Sequence, residues 1–284
     1  MSWYRGPLAG FDLETTGTDI EHDRVVTAAL VRLEPDGLEP GGLEPGGGVA
    51  GERTWLLDPG IAIPEEAAAI HGISTERARA QGSAAAPAIA EIADAVAEVL
   101  AAGTPLVVMN ARYDLSLLDR ECRRHGVTPL SERLGPGPWP VVDPLVLDKY
   151  ADKYRKGKRT LQALCAHYGV PLDAAHHAEA DAVAAARTAR RVGETYAPVG
   201  AMPLPDLYEL QVAAAAEQSA SLQSYLRRTS NPTAYIEPAW PVIPNGGTRS
   251  EAEPSSPAGT GPISGPAPGS IPVQRVGGGH PRVS

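Results

Sequence analysis

FDLETTG, residues 11–17, decides the fold of this chain. It follows an apolar lead-in, and its pattern predicts a buried strand that ends in a turn at Gly17. Alternate residues of a strand share a face, so Asp12 and Glu14 project together while Phe11 and Leu13 enter the core. Adjacent carboxylates repel each other unless a cation lies between them. The stretch therefore indicates a cation site rather than an ordinary exposed acidic face.

NARYD, residues 110–114, follows the apolar run 105–109, which predicts a second strand. Asp114 then falls in the first turn of the next helix, where the helix dipole stabilises a carboxylate. This position is also at the carboxyl end of a strand, where the ligand-binding sites of α/β proteins usually lie. Taken alone, Asp114 is equally well explained as an ordinary helix-start residue.

HHAEAD, residues 176–181, supplies the third acidic motif. Asp181 is predicted early in a helix, and His176 on the loop before it. An imidazole with a pKa of about 6.5 can accept a proton from an attacking water at neutral pH. A lone histidine is otherwise a surface or capping residue, and His177 is assigned that role.

The four carboxylates supply only oxygen ligands, which Mg²⁺ and Mn²⁺ prefer. Hydrolysis of a phosphodiester with two metal ions needs such an acidic cage and a base for the water. The two cysteines, Cys122 and Cys165, show no zinc spacing and are predicted to be reduced thiols. The predicted metal ligands are Asp12, Glu14, Asp114 and Asp181.

Strands alternate with helices along the first 195 residues, which predicts an α/β domain. The predicted strands are 7–13, 25–33, 54–57, 105–109 and 141–142. The predicted helices are 86–102, 112–125, 145–154, 161–168 and 178–192. Three of these helices end at a glycine with a proline shortly beyond it, which is the usual C-terminal signal.

Three segments lie outside this pattern. A Gly- and Pro-rich repeat within residues 34–52 predicts a loop insertion with no chemistry of its own. Residues 196–244 are predicted to form a helical extension, with a helix over 207–228 and a docking strip at Trp240. Residues 245–284 are rich in Gly, Pro and Ser and are predicted to be disordered. We therefore divide the chain into 1–195, 196–244 and 245–284.

The 284 residues carry a formal charge of −9, which argues against tight duplex binding through a basic surface. The densest positive run lies between the second and third motifs and contains Lys156, Lys158 and Arg159. It predicts phosphate contacts, although charge runs are more often solvated faces. The sequence shows no secretion signal and no apolar run of membrane-span length, so we expect a cytoplasmic protein with no membrane partner.

The three motifs resemble those of the DEDDh, or DnaQ-like, exonuclease family, which includes the ε subunit of bacterial DNA polymerase III and RNase T. DxE-TTG matches residues 12–17, N-A-x-[FY]-D matches 110–114, and H-x-A-x-x-D matches 176–181. The resemblance covers about residues 5–195 and implies a ribonuclease-H-like fold, with a mixed five-stranded sheet flanked by helices. Many relatives have histidine where this chain has Met109, a change that affects packing rather than a ligand.

The resemblance implies roles for individual residues. Asp12, Glu14, Asp114 and Asp181 are expected to hold two divalent ions, Mg²⁺ or Mn²⁺, and His176 to act as the general base. The expected substrate contacts are Thr15, Thr16, His71, Asn110, Lys156, Lys158 and Arg159. His71 lies in IHGIS, residues 70–74, which otherwise reads as a turn with Ser74 capping a helix.

The implied activity is 3′→5′ hydrolysis of single-stranded nucleic acid, with DNA favoured, to nucleoside 5′-monophosphates. Short RNA or RNA 3′ ends are the alternative substrate, since the catalytic residues do not read the 2′-hydroxyl. An inactive nuclease fold that serves as a binding or adaptor protein is the third hypothesis. A DNA polymerase or repair partner, bound through the C-terminal extension, would indicate proofreading in replication or DNA repair; a stand-alone enzyme is equally consistent with the sequence.

Overall fold

A computed structural model of the protein describes residues 2–35, 48–172 and 175–246. Most of the Gly/Pro repeat and of the C-terminal tail lies outside these described residues, and so do the predictions made for them. The described residues belong to one compact unit, and the division at residue 195 stays a prediction. None of the described helices combines the length and apolar character that crossing a membrane requires.

Within the described ranges the strands form one six-stranded mixed sheet in the order β4-β3-β2-β1-β5-β6. Strand β1 pairs antiparallel with β2 and parallel with β5, and β6 continues the parallel side. The strands are β1 Leu8–Thr15, β2 Val25–Leu33, β3 Val49–Asp58, β4 Ser83–Ala84, β5 Leu106–Val107 and β6 Val141–Val142. Five strands match the predicted ones, and β4 is the addition, because two residues are too short to leave a sequence pattern.

The described residues form ten α-helices, of which α3, α4, α6, α7, α8 and α10 correspond to the six predicted helices. They are α1 Glu65–His71, α2 Thr75–Gln81, α3 Ala85–Ala101, α4 Ala111–Arg124, α5 Leu130–Leu134, α6 Pro144–Ala151, α7 Leu161–Tyr168, α8 Ala178–Thr195, α9 Ala197–Gly200 and α10 Leu204–Thr229. Helix α6 ends three residues before the predicted end at Tyr154, and α8 continues three residues beyond the predicted Val192.

Strand β1 separates two apolar clusters because its side chains alternate. Phe11 and Leu13 pack with α3 and α4 on one face of the sheet, whereas Leu8 packs with α7 and α8 on the other. Asp12 and Glu14 lie an even number of residues after Leu8 on the same strand, so their side chains are on the same face and point toward α8. The same alternation that builds the core thus directs the two carboxylates toward the helix that carries Asp181.

Gly10 brings β1 and α8 into close approach. A Cβ atom at this position would collide with the main-chain carbonyl of Ala182. Ala182 follows Asp181 directly and is fully buried. Glycine at position 10 therefore lets the first turn of α8 lie against the strand beside Asp12, a role that the motif pattern did not reveal.

The C-terminal extension packs against the β6 side of the fold. Gln211 of α10 is fully buried; its side-chain amide donates to the Val141 carbonyl over 2.9 Å and accepts from the Asp143 N–H over 2.7 Å. Trp240 is also buried, with its ring 5.5 Å from that of Tyr208. The predicted docking of the Trp240 strip is therefore confirmed.

Candidate active site

The three motifs meet at the carboxyl end of β1. Asp12 and Glu14 lie near the end of that strand, Asp114 in the first turn of α4, and Asp181 in the first turn of α8. The Leu13 N–H donates to Asp114 Oδ1 over 3.1 Å, which ties the second motif to the first. The candidate site is thus assembled from one strand and two helix starts.

His176 lies next to two of these carboxylates. Its main-chain N–H donates to Asp181 Oδ2 over 3.1 Å, and its backbone takes the left-handed conformation, with φ of 68°. Ligand atoms of Glu14, His176 and Asp181 lie within 4.8 Å of one another. His176 is exposed, as is His177, which precedes α8 without a side-chain capping bond.

Burial raises the pKa of all four carboxyls, and repulsion by neighbouring carboxylates adds to it at Asp12, Glu14 and Asp114. Burial, followed by the charges of Asp114, Asp181 and Glu14, holds the pKa of Asp12 well above its ordinary value. Burial likewise raises the pKa of Asp114 well above its ordinary value, against the opposing Leu13 hydrogen bond. Burial and Asp181 raise the pKa of Glu14 to about 7. Burial also raises the pKa of Asp181, which the hydrogen bond from His176 partly offsets.

These carboxylates fit a site for divalent cations. Among the described residues, no ion pair with lysine or arginine involves any of the four. Asp181 Oδ1 is buried and has no hydrogen-bond partner there. Buried carboxylates without a counter-charge are costly, and hard cations prefer oxygen donors of this kind. The donor set therefore supports the predicted Mg²⁺ or Mn²⁺ without selecting between them.

A cavity of about 250 Å³ adjoins the carboxylates on the β2–β3 side and is lined by Glu14, Trp55, His71 and His176 among others. His71 is buried; its Nδ1 accepts from the Ile73 N–H over 3.2 Å, whereas Nε2 has no partner in the described residues. Burial lowers the pKa of this imidazole. His71 therefore lies where a nucleotide in this cavity could contact it, as expected. Ser74 also caps α2, so the reading of IHGIS as a turn before a capped helix applies as well.

Internal hydrogen bonds already engage polar groups of both Thr15 and Thr16. The Thr16 N–H donates to the Arg24 carbonyl over 3.0 Å, and the Thr16 hydroxyl donates to Asp23 over 2.7 Å. The β1–β2 turn thus already uses the main-chain donor of Thr16, and the substrate contact expected of this residue stays a prediction. The Thr15 hydroxyl donates to the Gly17 carbonyl over 2.7 Å and lies 2.8 Å from the Tyr113 hydroxyl.

Asn110 is exposed and starts α4 in the left-handed conformation, with φ of 64°. Asp143, which sequence reasoning did not select, holds this turn: its carboxylate accepts the Asn110 N–H over 3.2 Å and the Ala111 N–H over 3.0 Å. Its signal in the sequence was an aspartate directly before Pro144, the pattern of a helix start. Asp143 thereby positions the segment that carries Asp114.

The basic run contains exposed lysines and arginines that are paired with a buried aspartate. Lys156 and Lys158 are exposed, as a phosphate contact requires. Arg159, in contrast, pairs with the fully buried Asp148, which also accepts from Arg155 over 3.0 Å. The guanidinium of Arg159 thus already neutralises a carboxylate in the core, and the phosphate contact expected of this residue stays a prediction.

The sequence of the chain is similar to those of known exonucleases and polymerase subunits. The profile of the family described as Exonuclease (RNase T) matches residues 9–189. A DNA polymerase III subunit epsilon of Treponema pallidum is 27% identical over 176 residues, covering 62% of this chain and 71% of that protein. A PolC-type DNA polymerase III of Lacticaseibacillus paracasei is 27% identical over 174 residues, which is 61% of this chain and 10% of that polymerase.

Solved structures share the fold. Escherichia coli exonuclease I in complex with a dT13 oligonucleotide superposes with a TM-score of 0.53 at 22% identity, covering 68% of this chain and 42% of that one. Exonuclease I from Methylocaldum szegediense gives a TM-score of 0.51 at 23% identity, covering 78% of this chain and 46% of that one. The chain thus spans less than half of these enzymes, and the likeness confirms the ribonuclease-H-like fold alone. Because the family profile covers residues 9–189, all three acidic motifs included, the chain belongs to the DnaQ-like exonuclease family.

Proposed function

We propose that the protein is a metal-dependent 3′→5′ exonuclease that removes nucleoside 5′-monophosphates from single-stranded nucleic acid. The observation that carries the proposal is the meeting of Glu14, His176 and Asp181 within 4.8 Å, beside Asp12 and Asp114. A fold alone does not assign a function, but a complete set of catalytic groups in one place supports one. The absence of a counter-charge in the described residues supports cation dependence.

Asp12, Glu14, Asp114 and Asp181 are the residues that would hold two divalent ions. When bound, such ions supply an activated water, a template for the substrate and stabilisation of the leaving oxygen. The chain's own contribution is to arrange the acidic ligands. The Leu13–Asp114 and His176–Asp181 hydrogen bonds fix two of the four carboxylates before any ion arrives.

His176 is the proposed general base. It is exposed on the loop before α8, where the attacking water can reach the ring, and its main chain is anchored by Asp181. The left-handed backbone directs the chain sharply into the helix start, a conformation that costs energy outside glycine and clusters at functional sites. The neighbouring His177 lines the same cavity and is the matched comparison.

Single-stranded DNA is the favoured substrate. The exonuclease I structures that share this fold were solved with dT13 and dA16 oligonucleotides. RNA stays the second candidate, since a contact to the 2′-hydroxyl would decide between the two. We also propose a polymerase partner, on the basis of the similarity to the epsilon subunit. A repair partner and a stand-alone enzyme stay alternative predictions. A cytoplasmic location is a prediction as well.

A gel assay tests the function directly. Single-stranded DNA and its RNA twin, both labelled at the 5′ end, are incubated with Mg²⁺, Mn²⁺ or EDTA. We expect a ladder that shortens from the 3′ end, requires metal, is lost in His176→Ala and is kept in His177→Ala. The faster substrate identifies the nucleic-acid class. No ladder with either metal would overturn the proposal and favour a binding or adaptor role.

A further inference from the structure

We propose that the groove between α6 and α10 binds the nucleotides on the 5′ side of the scissile bond through base stacking and phosphate contacts. The inference rests on the proposed exonuclease function and extends it from the terminal nucleotide to the rest of the strand. Its occupant is a single-stranded nucleic acid. One wall of the groove, α10, lies outside the matched family region, because this helix begins at Leu204.

The groove consists of two adjoining cavities of about 590 and 250 Å³. They share Lys149 of α6 and Gln218 and Leu222 of α10, so the two form a continuous track. The outer cavity contains Tyr150 and Tyr225, whereas the inner one reaches Asn110 at the start of α4. The track therefore runs from the surface toward the second acidic motif.

Charge along the outer cavity favours a polyanion. Lys149 and Arg228 line it and make no hydrogen bond or ion pair with other described residues. Its acidic member, Glu217, is already paired with Lys153 over 2.7 Å. Arg159 lines the same cavity and neutralises Asp148. Two cationic side chains without a hydrogen-bonded partner among the described residues, on a chain of charge −9, are a feature that attracts a phosphate backbone.

The walls also expose flat apolar surfaces. Tyr150 and Tyr225 are 48% and 54% exposed, and Leu222, which also lines the groove, is 47% exposed. Aromatic rings in a basic groove are the usual platform for unpaired bases, because every base offers a π face. A purely apolar protein partner would leave Lys149 and Arg228 without a counter-charge, so the combination favours nucleic acid.

The inner end of the groove lies near the candidate active site. Asn110 is the N-cap of α4 and lies four residues, about 6 Å along the helix axis, before Asp114. The groove lies on the β5–β6 side of β1, and the His71 cavity lies on the β2–β3 side. The carboxylates on β1 thus stand between the two. A strand whose 3′-terminal nucleotide enters the His71 cavity has its scissile phosphate at the carboxylates and continues into the groove.

The test compares a fifteen-nucleotide oligothymidylate with a trinucleotide, using the full chain. Anisotropy of the labelled long strand in EDTA measures binding without cleavage, and steady-state cleavage with Mg²⁺ measures both substrates. Base stacking contributes about 1–3 kcal/mol per base. We expect Tyr225→Ala to raise the Kd of the long strand roughly tenfold, where tenfold equals about 1.4 kcal/mol. Tyr225→Phe keeps the ring and should bind normally.

Arg228→Ala isolates the phosphate contact. It should weaken binding of the long strand and reduce the slope of log K against log salt by about 0.7, the value for one phosphate of a single strand. Arg79→Ala removes an exposed charge on α2, away from the groove, and should change neither quantity. Cleavage of the trinucleotide should be reduced less than cleavage of the long strand by Tyr225→Ala and Arg228→Ala, and unchanged melting temperatures should show that all four variants are folded.

The outcomes separate the two proposals. Unchanged binding of the long strand in both Tyr225→Ala and Arg228→Ala would overturn the groove assignment while the exonuclease function stands, and would leave the surface to a protein partner. If the unaltered chain cleaves neither substrate but binds the long strand through the groove, the exonuclease proposal fails and the groove assignment stands.

Discussion

A buried aspartate and a cluster of buried and half-buried carboxylates have opposite surroundings in this fold. Asp148 is fully buried and accepts from Arg155 over 3.0 Å, from Arg159 and from the Tyr168 hydroxyl over 2.8 Å. The carboxylates around Asp12 are crowded together with no such cation among the described residues. A buried carboxylate with internal partners serves the structure, whereas a cluster without them needs a cation from solution.

Replacement of Asp12 by asparagine should produce the largest effect. Metal-dependent cleavage should fall by about three orders of magnitude, because the ions contribute several kcal/mol to transition-state stabilisation. Without metal the same change should raise the melting temperature, since it removes one of several repelling anions. Cleavage and thermal melting in EDTA measure the two effects. A lower melting temperature in EDTA would contradict the distinction between the two groups.

Replacement of Asp148 by asparagine should have the reverse signature. It leaves Arg155 and Arg159 without their shared carboxylate, and breaking a buried ion pair costs about 3–5 kcal/mol. Denaturant unfolding should show that loss with and without metal alike. Lys153→Ala, which breaks the exposed pair with Glu217, should change stability by less than about 1 kcal/mol and is the matched control.

The pH dependence of stability should reflect the raised pKa of Glu14. Its pKa is about 7 in the fold and ordinarily 4.5, so the folded protein binds more protons than the unfolded chain between these values. Stability of the metal-free protein should therefore fall as pH rises from about 4.5 to 7, by on the order of 2 kcal/mol. Melting curves in EDTA measure the fall. Glu14→Gln should flatten this profile, and saturating Mg²⁺ should restore stability at pH 7.

Trp240→Phe should give the smallest effect. It removes the indole N–H that donates to Asp143 Oδ2 over 3.3 Å but keeps an aromatic ring in the core. Asp143 retains its main-chain donors, so we expect a loss of about 1–2 kcal/mol in chemical denaturation. Tyr208→Phe keeps the ring beside Trp240 and should have little effect. An equal loss in both variants would show that packing, rather than the hydrogen bond, matters there.

The sequence predicts what is local and periodic. The alternation in residues 11–17 was enough to direct Asp12 and Glu14 to one face, and the glycine signals placed the ends of three helices. It did not predict the Arg159–Asp148 pair or the use of the Thr16 N–H by Arg24, since both join residues whose proximity is created by the fold. Gly10 and Asp143 were missed for the same reason: their roles depend on helices that pack against them.

The hydrogen bond between Trp240 and Asp143 has a consequence for how this chain is shortened. The matched family region ends at residue 189, and a fragment cut there would keep every candidate ligand. It would lose Trp240 and Gln211, which hold Asp143, the residue that anchors the turn before Asp114. We therefore expect the part of the chain that folds as a unit to extend beyond the matched family region. The smallest fragment worth assaying ends beyond Trp240.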